Sequence, residues 1–337
     1  MKLVPVILFF IFVFQANAQR NDFANINFDK ADAIALKYKG EELYNLNSLV
    51  EKLTEHLSTD VERFRAIYMW VCTNISNDYN LYTKNSRKRN RYLNDPILLE
   101  TWNNEFKKEI FKKLIENKQT ICTGYAYLVK EMANIANIEC EIVHGYGKTS
   151  TMNLDNITAP NHSWNAVKLN DKWYLCDPTW ASGLIDPDTF QFKFDFKDGL
   201  FLPSPDLFVM NHYPIDEKWM LLDNNKPTFD MFLQSPLIYN RAYANLSTHI
   251  FPLEMYNIIK RDETIAFKYK LSKTIELAEV VLMIDDGNTT VEVKPLKTRL
   301  NDDLLTVEHQ FDKKGFYDVH LLINNDLIST YTFRVKS

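Results

Sequence analysis

Hydrophobic positions recur every three to four residues through the first part of the chain. "LNSLVEKLTEHL" and "TDVERFRAIYMWVCTNI" carry this spacing, which predicts amphipathic helices between about Asn25 and Thr83. Thr59 followed by Glu62 fits a capping box at the start of the second segment. A further helix is expected near "ETWNNEFKKEIFKKLIEN". The first part of the chain is therefore predicted to be mainly helical.

One later helix begins with a cysteine and a glycine. In "NKQTICTGYAYLVKEMANIANIEC" Thr120 is the predicted N-cap, which places Cys122 in the first turn. The unpaired N–H groups and the positive end of the helix dipole favour a thiolate there. Gly124 is expected to leave the backbone around the sulfur open. The alternative is that Cys122 is a small buried hydrophobic residue, as most free cysteines are.

After this helix the hydrophobic period changes from 3.6 to 2. "CEIVHGYG", "HSWNAVKL" and "KWYLCDP" predict three strands. Asn170 and Asp171 both tolerate positive φ, so a two-residue hairpin turn is expected between the last two strands. In that register Trp164 faces Asp177, and His162 is the diagonal neighbour of Asp177, about 7–8 Å away on the same face. The hairpin is thus predicted to bring an imidazole beside a carboxylate.

From about Leu246 onward only short strands are predicted. "TIAFKYKL", "AEVVLMIDDGNTTVEVKPL", "LLTVEHQF", "GFYDVHLLI" and "STYTFRVK" are separated by turn residues, a pattern typical of an immunoglobulin-like β-sandwich. Irregular sequence rich in Pro and Phe precedes them. We therefore expect an α+β domain at residues 19–227 and an all-β module at residues 246–337.

The first 18 residues have the features of a secretory signal peptide. A lysine precedes an apolar run from Leu3 to Phe14, and "ANA" precedes a cut at Gln19. The run is short for a membrane span, and no later segment approaches the ~18 to 20 apolar residues that a span needs. The sequence predicts an exported protein, periplasmic or extracellular, with no stable membrane span.

Composition narrows the classes of function. A hydrophobic content of 46% is enough to form buried hydrophobic cores. A net charge of −5 does not support nucleic-acid binding. The one basic run, "KNSRKRNR" from Lys84 to Arg91, lacks interleaved aromatic residues. It is predicted to be a solvated loop that could attract an acidic surface.

The four cysteines match no metal-binding spacing, and there is no CxxC or HExxH motif, so no metal or other cofactor is expected. Cys140–Cys176 is the only disulfide considered. It is disfavoured, because both residues lie in apolar strand-like runs where thiols simply pack.

Cys122, His162 and Asp177 together form a candidate for nucleophilic catalysis. A carboxylate beside an imidazole fixes its tautomer and stabilises the imidazolium. A thiol beside that imidazolium and a helix N-terminus ionises below its free pKa of ~8.5. The helix start also offers a backbone N–H to the oxyanion of a tetrahedral intermediate.

Three blocks carry a resemblance to a known family: "ICTGYAYLVKEMANIANIECEIVHGYGK", "NHSWNAVKLNDKWYLCDPTWASG" and "HYPIDEKWMLLD". Together they resemble the transglutaminase-like superfamily, with most similarity to an exported, bacterial-type member of the kyphoscoliosis-peptidase and cytokinesis-protein branch. The resemblance implies a papain-like fold. It also implies that Cys122 is the nucleophile, His162 the general base and acid, and Asp177 the orienting carboxylate.

The sequence does not determine two features of this candidate site, the second oxyanion donor and the role of two tryptophans. Gln119 and Trp102 are the candidates for a second oxyanion donor. Trp164 and Trp180 either wall the cleft or pack in the core.

The main hypothesis is thiol-dependent acyl transfer on amide bonds of a peptide or protein substrate outside the cytoplasm. Water as acceptor gives peptidase or deamidase activity, and an amine gives crosslinking. Hydrolysis is favoured, because no calcium-loop pattern is visible. The alternative is a non-catalytic envelope protein that binds peptides or proteins. It is motivated by the C-terminal module, in which His309 and His320 lack expected partners and Asp285 and Asp286 belong to a turn.

Overall fold

A computed structural model describes residues 19–150 and 159–337, so the predicted signal peptide lies outside the described residues. The helices of the described part are α1 (Asp29–Lys37), α2 (Leu46–Thr54), α3 (Asp60–Asn74), α4 (Tyr79–Arg91), α5 (Pro96–Asn117), α6 (Cys122–Ile135), α7 (Pro178–Ser182), α8 (Pro205–Phe208) and α9 (Phe229–Gln234). Within these ranges no helix has the length and apolarity needed to cross a membrane.

The strands before the C-terminal module are β1 (Ser76–Asn77), β2 (Gln119–Thr120), β3 (Cys140–Gly147), β4 (His162–Leu169), β5 (Lys172–Cys176), β6 (Gly183–Ile185), β7 (Phe192–Phe194), β8 (His212–Pro214) and β9 (Leu237–Ile238). Those of the C-terminal module are β10 (Leu246–Phe251), β11 (Tyr256–Lys260), β12 (Thr264–Leu271), β13 (Val280–Asp285), β14 (Thr290–Val293), β15 (Lys297–Asn301), β16 (Leu304–Gln310), β17 (Gly315–Ile323) and β18 (Asp326–Lys336).

The capping box at the start of α3 is confirmed. The Thr59 side chain accepts from the Glu62 N–H, and the Glu62 carboxylate accepts from the Thr59 N–H. Both bonds satisfy donors that a helix start otherwise leaves unpaired. α3 is buried over most of its length, and it packs against α6 and α7. α6, the helix that carries Cys122, thus packs against a helix that is itself buried.

The basic run from Lys84 to Arg91 is helical, so its prediction as a loop was wrong. It forms most of α4, which begins where the Asp78 carboxylate accepts from the Leu81 N–H. Leu81 is the one buried residue of α4, so the sequence shows no apolar stripe. Contacts with other parts of the chain therefore stabilise α4, and one of them is the Lys84–Glu109 ion pair to α5.

The predicted N-cap of the cysteine helix was also wrong. Ile121 is the N-cap of α6 and makes no side-chain cap, while Thr120 belongs to the short strand β2. Thr120 is fully buried, and a Cβ at Gly124 would lie 1.9 Å from its Oγ1. Gly124 is therefore needed for the close packing of Thr120 under the helix, rather than to open the backbone around the sulfur.

The hairpin register is the one that the sequence predicts. β4 and β5 pair Leu169 with Lys172 and Asn165 with Cys176, around a turn in which Asn170 and Asp171 have φ values of 49° and 60°. The sheet is antiparallel throughout, with strand order β5-β4-β3-β8. The three predicted strands are present, and β8 adds a fourth that the sequence did not indicate.

The C-terminal module contains two packed sheets, as expected for a sandwich. One has the order β10-β12-β16-β15 and the other β11-β18-β17-β13-β14. β9, which precedes the module in sequence, pairs with β18. One buried apolar cluster includes residues of both the helical part and the sandwich. The two parts of the chain therefore share a core.

Two expectations about individual side chains can be compared with the described residues. All four cysteines are free thiols, which confirms that Cys140 and Cys176 do not pair. His320 does have a partner, since its Nδ1 lies 2.6 Å from the Thr330 hydroxyl on the neighbouring strand. His309 packs edge-on against Phe311. Both histidines therefore have contacts within the sandwich that explain their positions.

Candidate active site

Cys122 is the first residue of α6 and lies where two cavities meet. Its side chain is largely buried, with 8% exposure, yet it lines both cavities. Because Ile121 provides no side-chain cap, no side chain competes for the first N–H groups of α6. A helix start of this kind offers backbone donors and a positive partial charge beside the sulfur.

His162 begins β4, and its imidazole lies between the thiol and a carboxylate. Nε2 is 2.7 Å from Asp177 Oδ2. The Cys122 sulfur interacts with the same imidazole, and since Nε2 is occupied by Asp177, Nδ1 is the nitrogen available to the sulfur. The structure thus brings together all three residues that the sequence singled out.

Asp177 follows β5 directly and is the N-cap of α7. Its Oδ1 accepts from the Thr179 and Trp180 N–H groups at 2.8 and 3.1 Å, which fixes the carboxylate plane. Its Oδ2 faces two imidazoles, those of His162 and His212. Burial alone would raise the pKa of Asp177, but the positive charge of His162 and the imidazole hydrogen bonds hold it well below its usual range. Asp177 is therefore a carboxylate.

The ionisation of Cys122 and His162 is coupled. Burial raises the pKa of Cys122, but the hydrogen bond and positive charge of His162 and the Ser163 N–H outweigh it, so the pKa is lowered. Burial lowers the pKa of His162, while Asp177 and then Cys122 raise it to about 10. A lowered thiol pKa beside a raised imidazole pKa favours a thiolate–imidazolium pair at neutral pH.

His212 is the residue of this site that the sequence analysis missed. It begins β8, and its Nε2 lies 3.0 Å from Asp177 Oδ2. Burial first, and then the positive charge of His162, lower its pKa to about 4, so it is neutral at pH 7. The one signal for it was the "HYP" at the start of the third resembling block. A strand of three residues has too little alternation to be detected.

His162, Asp177 and His212 also have the composition of a metal site. One ligand atom from each lies within 4.8 Å of the others. Two ligands of one ion bound at ~2.1 Å are separated by roughly 3.0 to 3.4 Å. The 2.7 Å contact between His162 and Asp177 is shorter than this and matches a charge-assisted hydrogen bond. The residues fit a hydrogen-bonded cluster better than an ion.

The two tryptophans have different roles. Trp180 stacks on His162, with ring centroids 4.7 Å apart and planes 19° apart, and lines one cavity. Trp164 is fully buried and packs in the core of the sheet. Gly147 lies close to both rings, because a Cβ there would lie 2.9 Å from His162 Cβ and 3.0 Å from the Trp180 ring. Trp180 therefore packs on the imidazole, and the missing side chain of Gly147 leaves room for both rings.

Neither sequence candidate for a second oxyanion donor lines the cavities at Cys122. The Trp102 indole donates to Asn85 Oδ1, and Gln119 lies exposed in β2. Tyr82 does line both cavities, and the charge of Cys122 contributes, after burial, to raising its pKa. Tyr82 is thus a candidate hydroxyl donor at the cavities, which the sequence analysis did not identify.

Comparison with known proteins supports a transglutaminase-like core. Residues 47–178 match the family model of the transglutaminase-like superfamily. The chain is similar to kyphoscoliosis peptidase of Mus musculus and of Homo sapiens, each 32% identical over 197 residues that cover 58% of this chain and 27% of the relative. It is also similar to hillarin of Drosophila melanogaster, 22% identical over 212 residues, covering 58% of this chain and 23% of that protein.

The expected fold class is therefore confirmed. The matched segment, together with the antiparallel sheet and the sandwich described above, is an α+β transglutaminase-like core followed by an immunoglobulin-like module. The chain spans about a quarter of the length of the curated relatives it matches. What those proteins do as wholes is therefore not carried over to this chain.

Proposed function

We propose that this protein catalyses thiol-dependent acyl transfer on amide bonds of peptides or proteins, with water as the preferred acceptor. One observation carries the proposal. The thiol at the start of α6 and the His162 imidazole line the same two cavities and interact, and Nε2 of that ring contacts a fully buried carboxylate. This is the order of groups that nucleophilic catalysis by cysteine requires.

The reaction follows from the proton positions. The Cys122 thiolate attacks the carbonyl carbon of the amide and forms a C–S bond. As the tetrahedral intermediate collapses and the C–N bond breaks, the His162 imidazolium gives its proton to the departing amine. Neutral His162 then takes a proton from water, whose oxygen attacks the thioester, releases the carboxylic acid and restores the thiolate–imidazolium pair. Asp177 remains a carboxylate throughout and holds the ring in place.

The competing possibility is a non-catalytic peptide-binding scaffold. It would be favoured if a side chain filled the space over Cys122 or if His162 were turned away. Instead Cys122 borders two cavities and His162 faces the thiol.

Amine acceptors would give crosslinking by the same acyl-thioester. We extend the proposal to an exported location, which rests on the signal-like sequence of residues 1–18.

Alkylation of Cys122 tests the thiolate directly. Because its pKa is lowered, more thiolate remains at pH 6 than in a free model thiol of pKa ~8.5. We expect iodoacetamide at pH 6 to label Cys122 at least about tenfold faster than that thiol. Mass spectrometry of the labelled peptides identifies the site, and Cys122→Ala should lose both the label and amide hydrolysis.

The other three cysteines are the internal control for this labelling. Burial raises the pKa of Cys72, Cys140 and Cys176, so they should stay unlabelled in the folded protein. Labelling of Cys122 no faster than the model thiol would contradict an activated nucleophile and favour the scaffold.

Tyr82 is expected to assist the oxyanion. Replacing Tyr82 by Phe removes only the hydroxyl, so the cavities keep their shape. We expect the rate of acyl-enzyme formation to fall about 10- to 100-fold, because a donor to the developing negative charge is lost. The rate of iodoacetamide labelling should not change, since alkylation forms no oxyanion. Stopped-flow kinetics with a fluorogenic amide checks this, and an unchanged acylation rate would remove Tyr82 from the mechanism.

A further inference from the structure

The two cavities that meet at Cys122 differ in character. They have volumes of about 670 and 660 Å³, within the range of ligand-binding clefts. Tyr82, Cys122, Asn161 and His162 line both. A polypeptide that places an amide over Cys122 can therefore occupy both cavities, one on each side of the reacting carbonyl.

The larger cavity, here called the apolar arm, is walled by hydrophobic side chains, of which Leu184 and Phe190 are 45% and 55% exposed. Its charged groups are already paired. Asp195 forms ion pairs with Lys197 and Arg241. The Lys148 ammonium donates to the carbonyls of Phe232 and Ser235. This arm therefore suits an apolar side chain, and its buried cation Lys148 already has carbonyl partners.

The smaller cavity, here called the basic arm, lies between α4 and α5 and carries two cations. Arg89 and Lys107 line it, and none of its described lining residues is Asp or Glu. The Arg89 Nε is buried and has no hydrogen-bond partner among the described residues. Neither cation has a carboxylate within ion-pair distance in the described part of the chain. A cation with a buried, unused donor is costly unless a ligand supplies an acceptor.

Among the described residues that line the basic arm, the Cys122 thiolate is the one group that carries negative charge. His144 also lines it, and burial together with the charge of Arg89 lowers its pKa, so it is neutral at pH 7. The Ser163 hydroxyl is hydrogen-bonded to Nδ1 of His144. The lining of the basic arm thus includes two cations and, apart from the Cys122 thiolate, no described anionic side chain.

We propose that the preferred substrate is a polypeptide with an apolar residue on one side of the reacting carbonyl and an acidic residue on the other. The acidic side chain would accept hydrogen bonds from Arg89 in the basic arm, with Lys107 adding charge at its edge. The apolar residue would fill the apolar arm. This inference deepens the proposed function and rests on it, since it places the amide over Cys122.

Binding can be measured without catalysis by using the Cys122→Ala protein. Eight fluorescein-labelled peptides combine Leu or Ser at the apolar position with Glu or Gln at the acidic one, with each of these four combinations made in both chain orders. At low salt, fluorescence anisotropy should show the Leu–Glu peptide of one order binding about fivefold tighter than its Leu–Gln partner. The Ser peptides should bind at least about tenfold more weakly. Salt at ~0.5 M should remove most of the Glu preference.

Arg89→Gln in the same background should reduce the Glu preference to less than about twofold. Arg87→Gln is the matched control. Arg87 lies on the same helix but is exposed and does not line the cavity, so the preference should persist.

Equal binding of Glu and Gln peptides, an equal loss in both variants, or no measurable binding would each overturn this proposal. The alkylation of Cys122 is independent of these peptides, so the proposed function is tested separately.

Discussion

Asp177→Asn is expected to lower the rate of amide hydrolysis about 10³- to 10⁴-fold while the protein stays folded. The asparagine oxygen can still accept from the Thr179 and Trp180 N–H groups, which turns its NH₂ group towards His162 and His212. A donor at that position forces His162 to present a lone pair at Nε2 and to carry its proton on Nδ1. The imidazole then cannot take the thiol proton.

Two measurements separate this effect from a loss of structure. Thermal unfolding should show a folded variant, and the iodoacetamide rate of Cys122 at pH 6 should fall towards that of a free thiol. Asp216→Asn is the control, because Asp216 also caps a short helical turn through its carboxylate but lies exposed. A folded Asp177→Asn protein that kept more than a tenth of the activity would refute the orienting role of Asp177.

Gly145→Ala is expected to lower the free energy of unfolding by about 3 kcal/mol. Gly145 lies in β3 between β4 and β8. A Cβ there would lie 2.2 Å from the Tyr213 carbonyl oxygen and 2.5 Å from the Trp164 ring. The carbonyl belongs to a paired strand and the ring is fully buried, so neither can move without disturbing the sheet.

Gly147→Ala is the matched comparison for this prediction. It lies two residues along the same strand, and the three atoms nearest its Cβ would belong to the side chains of His162 and Trp180, at 2.9 to 3.1 Å. We expect a smaller loss of stability but a clear loss of activity, since the imidazole must shift. Urea unfolding of both variants checks the order, and a larger loss of stability in Gly147→Ala would contradict it.

The sequence predicts those parts of the site that local rules control. Asn170 and Asp171 determine a two-residue turn, the turn determines the register, and the register places His162 near Asp177. The cysteine helix could be recognised from its apolar stripe, although its first residues are held by the packing of Thr120 rather than by a cap.

The parts that depend on distant contacts were not predictable. β8 is a three-residue strand that exists because β3 offers it an edge, and so His212 gave no periodic signal. The basic run folds as a helix through the Asp78 cap and its packing on α5, so composition alone suggested a loop. The partner strand of β8 lies far along the chain, whereas α4 depends on the adjacent Asp78 cap and on the next helix, neither of which its own apolar pattern reveals.

The pairing of β9 with β18 affects the order in which a nascent chain can acquire its cleft. Leu327, at the start of β18, lines the apolar arm, and so do Leu237 and Ile238 of β9, whose pairing partners are in β18. Cys122 and His162 leave the ribosome more than 150 residues before this strand. During synthesis the thiol and imidazole are therefore made well before the apolar wall, which can close only after residues 326–336 have emerged. A growing chain thus carries its thiol and imidazole for some time before the wall of the apolar arm is complete.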